Sequence, residues 1–369
     1  MLSGVAAFTG PHALEVHSPP GRTTVTADRV VIAVGTAPRR PPEVDFDDRS
    51  VLAGDGMVRL REVPRRLTVV GAGIAGLEAA SVAAALGVDV TLVDRADEPA
   101  DELDREILGA LVYHLRGLGV TVRLGEEVRG VSRPAPGVAV TQLASGETIP
   151  SDAVVYAAGR EGATGGLGLD AAGLRAGPRG LIAVDADLRT AVPHLLAAGD
   201  IVGARGRVTE AMDQGRRAAL AALGRPVPPP HAPLSLGVAT IPEIAWVGPT
   251  ERDLARAGTP YVRGVADFAH LVRGELSGER TGLLKLLVDP RSRRVLGVHI
   301  FGASSMELVH VGQAVMASGM TLDYLVDAVP GVATFAEAYA EAALDASARL
   351  QYGDDRRCEP PAAVRTLAS

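Results

Sequence analysis

The segment RRLTVVGAGIAGLEAASVAAALGVDVTLVDR, residues 65–95, constrains the fold more than any other stretch. Gly71, Gly73 and Gly76 stand in G-x-G-x-x-G spacing. They follow an apolar strand pattern, open an alanine-rich helical stretch and precede a second strand pattern ending at Asp94. That context makes one βαβ unit with a dinucleotide-binding turn. Gly71 permits the tight turn, Gly73 lets a pyrophosphate reach the helix amino end, and Gly76 lets the helix pack against the strand. Asp94 stands where a carboxylate binds both adenosine ribose hydroxyls, which selects NAD; Arg95 beside it could bind a 2′-phosphate instead. The turn arrives only after sixty-odd residues that already read as folded protein.

Residues 1–36 alternate apolar runs with turns, a succession of strands whose last, VVIAVG, reads as buried and ends at Gly35. After the Pro-rich connector TAPRRPPEVDFDD and the βαβ unit, residues 101–118 form an amphipathic helical pattern. Residues 181–200 read as strand–loop–strand, and RVTEAMDQGRRAALAAL as a helix. A second connector, GRPVPPPHAPLS, marks a boundary near residue 229; strand patterns and then long helices run on to about residue 351. Three strands end in small residues: VVIAVG at Gly35, VVYAAG at Gly159 and LLAAGD at Asp200. Small residues at the carboxyl ends of strands let a flat ligand approach the backbone. Three such ends around one fingerprint favour an enzyme that binds two nucleotides.

Composition bounds the alternatives. A chain of 369 residues with 47% hydrophobic and 22% charged residues is globular and has room for several domains. A net charge of −7 without blocks of like charge argues against a nucleic-acid partner. Cys358 is the single cysteine, so the chain has no internal disulfide, and no Cys/His cluster has metal-ligand spacing. The amino end lacks the pattern of a signal peptide and no uncharged run is long enough to span a membrane, which makes the cytoplasm the default expectation. The single lysine, Lys285, reads as a compositional habit rather than as chemistry.

The ordered motifs VIAVGTAP, VVGAGIAGLEAA, VVYAAGR, TAVPHLLAAGDI, TIPEIAWVGPTERDL, VLGVHIFG and TFAEAYAEAA resemble the flavoprotein pyridine nucleotide–disulfide oxidoreductases over nearly the whole chain. The stretches VHIFGASSMELVHVGQAVM and TFAEAY are most similar to the branch that exchanges hydride between NADPH and NAD+. The resemblance implies an α/β fold: an incomplete, discontinuous FAD-binding domain (1–49 and 162–228), an inserted Rossmann-like NAD(P) domain (50–161), an α+β dimer-interface domain (229–351) and a tail (352–369). Family members carry their FAD fingerprint before everything seen here, so about a hundred residues, the first βαβ units of a nucleotide half, are expected to be absent. The fingerprint at Gly71 is then the family's second one, the NAD(P) one.

Carried over by motif, the resemblance implies that Ala33, Val34 and Gly35 pass near FAD and that Asp200 binds a ribityl hydroxyl. The helix from about residue 208 would aim its positive end at the flavin ring. Gly71, Gly73, Gly76 and Glu78 would cradle NAD(P), with Glu78 near the nicotinamide; Asp94 and Arg95 would meet the adenosine ribose, and Gly159 would line the same pocket. Glu78 and Arg160 also read as plain surface charges. The disulfide reductases of the family carry a His-Pro-Thr-x-x-Glu motif whose histidine handles protons; here the stretch is Val332-Ala333-Thr334 with Glu337 kept, while His310 is the alternative base if the register slips. Thiol exchange needs thiolates and a base, whereas hydride exchange through a flavin needs neither. The expected activity is therefore flavin-mediated hydride transfer between NADPH and NAD+ in a homodimer or larger even assembly. A dihydrolipoamide dehydrogenase-like or mercuric reductase-like enzyme, or a non-catalytic nucleotide-binding remnant, stays open.

Overall fold

The computed structural model describes residues 1–19, 21–203, 206–230 and 233–352; Cys358 and the expected tail beyond Tyr352 lie outside them. The chain divides into two compact units, Met1–Pro41 with Ala158–Ala232, and Pro42–Ala157 with Pro233–Ser369. The first crossing between them falls in the Pro-rich connector.

In the first unit, Val5–Gly10, Ala13–Ser18 and Gly21–Thr26 form an antiparallel meander. Val30–Ile32 pairs in parallel with Leu195–Ala197, and Thr36–Pro38 pairs antiparallel with Arg160–Gly162. Phe8, Ile32, Leu169, Ile182, Leu195 and Ile201 close the core between these pieces. The buried strand expected to run to Gly35 is shorter and more open. It ends at Ile32, the only one of its three residues that is buried, and Val31 is 38% and Val34 41% exposed. A strand with a single partner leaves its other edge unpaired. Nor does the expected strand at the start of 181–200 form. There Ile182 N–H donates to the Ile201 carbonyl at 3.0 Å and Gly177 N–H to Leu181 at 2.7 Å, so those groups serve loop closures instead of a ladder. The turn after it is held by the Asp185 carboxylate, which accepts from the Asp187 and Arg189 backbones.

The second unit holds two five-stranded sheets. One is parallel, ordered Val51–Ala53, Ala153–Tyr156, Arg66–Val70, Asp89–Val93 and Thr121–Arg123. Strands buried on both faces need continuous apolar runs, and LTVV within Arg66–Val70 is buried throughout. The crossover helix Ile74–Ala85 is alanine-rich, the composition that costs least backbone and side-chain entropy in a helix. The second helix, Arg105–Gly117, begins where Asp104 accepts from the Glu106 and Ile107 backbones. It buries one stripe, Ile107, Leu108, Leu111 and Leu115, which matches the period of a half-buried helix.

The second sheet is antiparallel, ordered Ser235–Val238, Glu243–Val247, Val295–Gly302, Gly282–Val288 and Val262–Asp267. Val238, Ile244, Trp246 and Phe301 from this sheet join the core around the two crossover helices. Leu284, Leu286, Val298 and Ile300 face a second core with the helices Ser305–Ser318 and Glu337–Tyr352. The antiparallel sheet therefore has no solvent-facing side, which is why LLKLLV and LGVHIF lack polar alternation. No helix among the described residues is long and apolar enough to cross a membrane.

Candidate nucleotide and flavin sites

The glycine turn follows directly from the strand Arg66–Val70. Gly71 adopts φ +103°, open to glycine and strained for other residues, while its N–H donates to the Val93 carbonyl at 2.8 Å. Gly73 caps the helix without a side-chain hydrogen bond, and a Cβ on it would meet nothing within 4 Å. A helix amino end with an open cradle is the geometry that receives a pyrophosphate. A Cβ on Gly76, by contrast, would overlap the Gly71 carbonyl, so this glycine sets how closely helix and turn approach.

Asp94 leaves the neighbouring strand and reaches back to the turn. Its carboxylate accepts from Ala72 N–H at 2.5 Å and from Ala96 N–H at 2.8 Å. Each carboxylate oxygen has a second lone pair free for a ribose hydroxyl. Arg95 is exposed beside it. Glu78, four residues into the helix, is engaged within the fold: its carboxylate accepts from Ala239 N–H at 2.8 Å, and Ser81 accepts from Ile241 N–H at 2.7 Å. The two side chains tie the fingerprint helix to the loop that joins Ser235–Val238 to Glu243–Val247 in the antiparallel sheet. Glu78 also borders a cavity of about 470 Å³ between that helix and residues 54–64.

The remaining nucleotide-site candidate, Gly159, belongs to the first unit, together with the flavin-site candidates. Gly35 and Gly159 adopt φ +68° and +105°, and a Cβ on either would meet nothing within 4 Å. They flank the short antiparallel pair, with Ala163 N–H donating to the Gly35 carbonyl and Arg39 N–H to the Gly159 carbonyl. Arg160 is no loose surface charge, because its guanidinium donates to the Thr36 hydroxyl at 2.7 Å and carbonyl at 3.0 Å. Ala198 N–H donates to the Ile32 carbonyl, which brings the Gly199–Asp200 turn beside Ala33, Val34 and Gly35. Gly199 N–H is held by Gln214 of the helix Val208–Ala222, whose amino end has no side-chain cap. The Asp200 carboxylate takes no hydrogen bond from the described residues and is half-buried. Open glycines and, among the described residues, an acceptor without a donor and a helix end without a side-chain cap fit a flat group that carries hydroxyls and an electron-rich edge.

Glu337 opens the helix Glu337–Tyr352, and its carboxylate accepts from Thr334 N–H at 3.1 Å. Val332 is 78% exposed and Ala333 adopts φ +64°. His310 pairs with Gln313 on its own helix at 2.9 Å.

Lys285 overturns its reading as mere composition. It is fully buried and pairs with Asp104 at 3.0 Å, Glu106 at 3.1 Å and Glu251 at 3.0 Å, while Arg263 also holds Glu106 at 3.2 Å. Burial pushes the ammonium toward neutrality, but the three carboxylates outweigh it and hold its pKa above the ordinary lysine value. Burial likewise acts to raise Asp104, and the net shift is downward. His299 shares this field, but burial depresses its own pKa, so at neutral pH the lysine is the counter-ion of Asp104. The readable signal was a lone charge inside the apolar strand LLKLLV; its partners lie far away in sequence.

A family model described as pyridine nucleotide-disulphide oxidoreductase matches residues 3–215, and that family's dimerisation domain matches residues 235–343. A protein named soluble pyridine nucleotide transhydrogenase from Mycobacterium bovis is 45% identical over 95% of this chain and 75% of its own length. One of the same name from Marinobacter nauticus is 39% identical over 95% and 76%. Among solved structures, the HOCl-induced flavoprotein disulfide reductase RclA from Escherichia coli superposes with a TM-score of 0.85 at 25% identity, covering 93% of this chain and 78% of that one. LpdA from Mycobacterium tuberculosis superposes with a TM-score of 0.85 at 25% identity, covering 93% and 76%. The chain belongs to the pyridine nucleotide-disulphide oxidoreductases, a family of FAD- and NAD(P)-dependent oxidoreductase enzymes.

Proposed function

We propose that the protein passes hydride between NADPH and NAD+, in either direction, by way of FAD. FAD supplies a two-electron acceptor and donor that can meet one nicotinamide and then another. Ala33, Val34, Gly35 and Asp200 would hold it, with the amino end of Val208–Ala222 stabilising negative charge on its reduced ring. Gly71, Gly73 and Gly76 would seat the pyrophosphate of either nicotinamide coenzyme, and Asp94 and Arg95 would meet its adenosine ribose. Glu78 fixes the helix that carries this turn.

The observation that carries this reading is Val332. At the position of the reductases' proton-handling histidine stands an exposed apolar side chain, which cannot accept a proton, while the Glu337 kept beside it is spent on capping Thr334. Disulfide reduction needs that proton transfer; hydride passage between nicotinamides does not. The names of the relatives support the same choice. The matched dimerisation domain and the exposed Tyr324, Val329, Val332 and Leu344 further support a homodimer. Sedimentation as a monomer at micromolar concentration would contradict that part.

Arg95 supplies the test of two-coenzyme binding. A guanidinium beside a ribose-binding carboxylate attracts a 2′-phosphate, whereas NAD has none to attract. Arg95→Ala should therefore weaken NADP+ binding about tenfold, the loss of one charge-assisted contact worth about 1.5 kcal/mol, and leave NAD+ nearly unchanged. Calorimetric titration measures both. Equal losses for the two coenzymes would remove Arg95 from this role.

A further inference from the structure

The segment between Asp94 and Asp104 carries Asp97, Glu98, Asp101 and Glu102 beyond the ribose-binding aspartate, against the single cation Arg95. Such a loop should repel a 2′-phosphate. Yet one of these carboxylates is clamped from outside the parallel sheet's own elements. Arg252 lies on the short helix Glu251–Arg256, which a capping box between Thr250 and Asp253 starts. Its guanidinium donates to the Glu98 carboxylate at 2.5 Å and to the Asp101 carbonyl at 2.9 Å. The other Glu98 oxygen accepts from Arg105 at 2.6 Å. Only a fifth of the Arg252 side chain is exposed although Glu98 is about half exposed, so the guanidinium end of the pair is fixed while the carboxylate stays open to solvent.

The same segment is bonded back to the glycine turn, Ala100 N–H donating to the Ala72 carbonyl at 3.0 Å, and Ala100 adopts φ +35°. A left-handed alanine persists only where its surroundings hold it. Arg252 therefore does two things at once: it helps to hold a strained loop that is bonded to the turn, and it offsets a carboxylate four residues beyond Asp94. We propose that Arg252 is a positioning residue for coenzyme selection, through which the dimerisation-domain segment keeps the acidic loop compatible with a 2′-phosphate. This rests on the fingerprint being a nicotinamide-coenzyme site, as read above.

The consequence is asymmetric. Without Arg252, Glu98 keeps only Arg105 and the acidic segment loses one positive charge, so its net negative field acts more strongly on the 2′-phosphate that NADP+ has and NAD+ lacks. Lys285 still anchors Asp104 at the far end of the loop, so the helix that follows is not released. In Arg252→Ala, the ratio of NADP+ to NAD+ affinity should fall by about threefold to tenfold, the range of a partly screened single charge. That fall should shrink in high salt. Glu98→Gln in the native background should raise the ratio, because Arg252 and Arg105 then stand without their carboxylate. The double variant should return close to the wild-type ratio.

The experiment is calorimetric titration of NADP+ and NAD+ into the four proteins at low and high salt, with thermal melts as the control for folding. A ratio unchanged in both single variants, or equal losses for the two coenzymes, would overturn the proposal and leave Arg252 as packing alone. If Arg252→Ala does not fold, Glu98→Gln decides: a ratio that does not rise refutes it. A wild-type protein that binds neither coenzyme would refute the underlying site reading instead, a distinct result.

Discussion

Replacing Lys285 with methionine is expected to destabilise the second unit by about 3–5 kcal/mol, the cost of breaking a buried ion pair by removing one partner. Methionine matches the length of the lysine stem, so the loss is electrostatic rather than a cavity. What remains is Asp104, almost wholly buried, beside Glu106 and Glu251, with Arg263 pairing with Glu106. Asp104 also caps the helix Arg105–Gly117, so protonating it to relieve the repulsion would weaken that cap. Denaturant unfolding measures the change, and a loss under about 1 kcal/mol, the range of an exposed pair, would contradict the arrangement. A Lys285→Met, Asp104→Asn double variant should regain part of the loss, since asparagine caps a helix without charge.

The pH dependence follows from the directions of the two shifts. Asp104 is held below its ordinary 3.8, so its share of stability is present above that value and is lost as pH falls through the lower folded one. Lys285 is held above its ordinary 10.5, so its share is present below that value and is lost as pH rises through the higher folded one. The advantage of wild type over Lys285→Met should therefore be level across the neutral range and decline toward both extremes.

Gly76→Ala is the second large effect, and it reads on function. The added methyl would overlap the Gly71 carbonyl, which is backbone and cannot rotate aside. Either the helix Ile74–Ala85 withdraws or the turn deforms. Overpacking of this kind costs about 1–3 kcal/mol. The turn is also the pyrophosphate cradle, so NAD+ and NADP+ should both lose at least about tenfold in affinity, as about 1.4 kcal/mol implies. Gly73→Ala is the control, because its Cβ points into open space: the fold should tolerate it while coenzyme binding weakens. Retention of wild-type affinity in both variants would remove the turn from the nucleotide site.

What was legible in the sequence was local. The fingerprint, its two flanking strands and the alanine-rich helix depend on residues within thirty positions, and each has a mechanism that spacing alone reveals. The helix at 105–117 was visible through its apolar period, although its start moved inward to the Asp104 cap. The misreadings were of two kinds. VVIAVG and LIAV have the apolar content of buried strands, but burial and pairing depend on neighbours from elsewhere in the chain: Ile32 has one partner strand, and Ile182 bonds to Ile201 rather than to a ladder. Ionic partners were hidden for the same reason. Lys285 meets Asp104 across 181 positions and Arg252 meets Glu98 across 154, separations at which no periodicity survives. Glu78 stood at a motif position, but only the fold revealed that Ala239 takes its carboxylate.

The most direct test of hydride passage between nicotinamides is a side-by-side assay on the purified protein supplied with FAD. NADPH is offered with a spectrally distinct NAD+ analogue as acceptor, and in parallel with oxidised lipoamide and with glutathione disulfide. The account predicts reduction of the analogue at a rate well above either disulfide, because Val332 cannot perform the proton transfer that disulfide reduction requires. Rapid lipoamide or glutathione disulfide turnover with negligible reduction of the NAD+ analogue would contradict it.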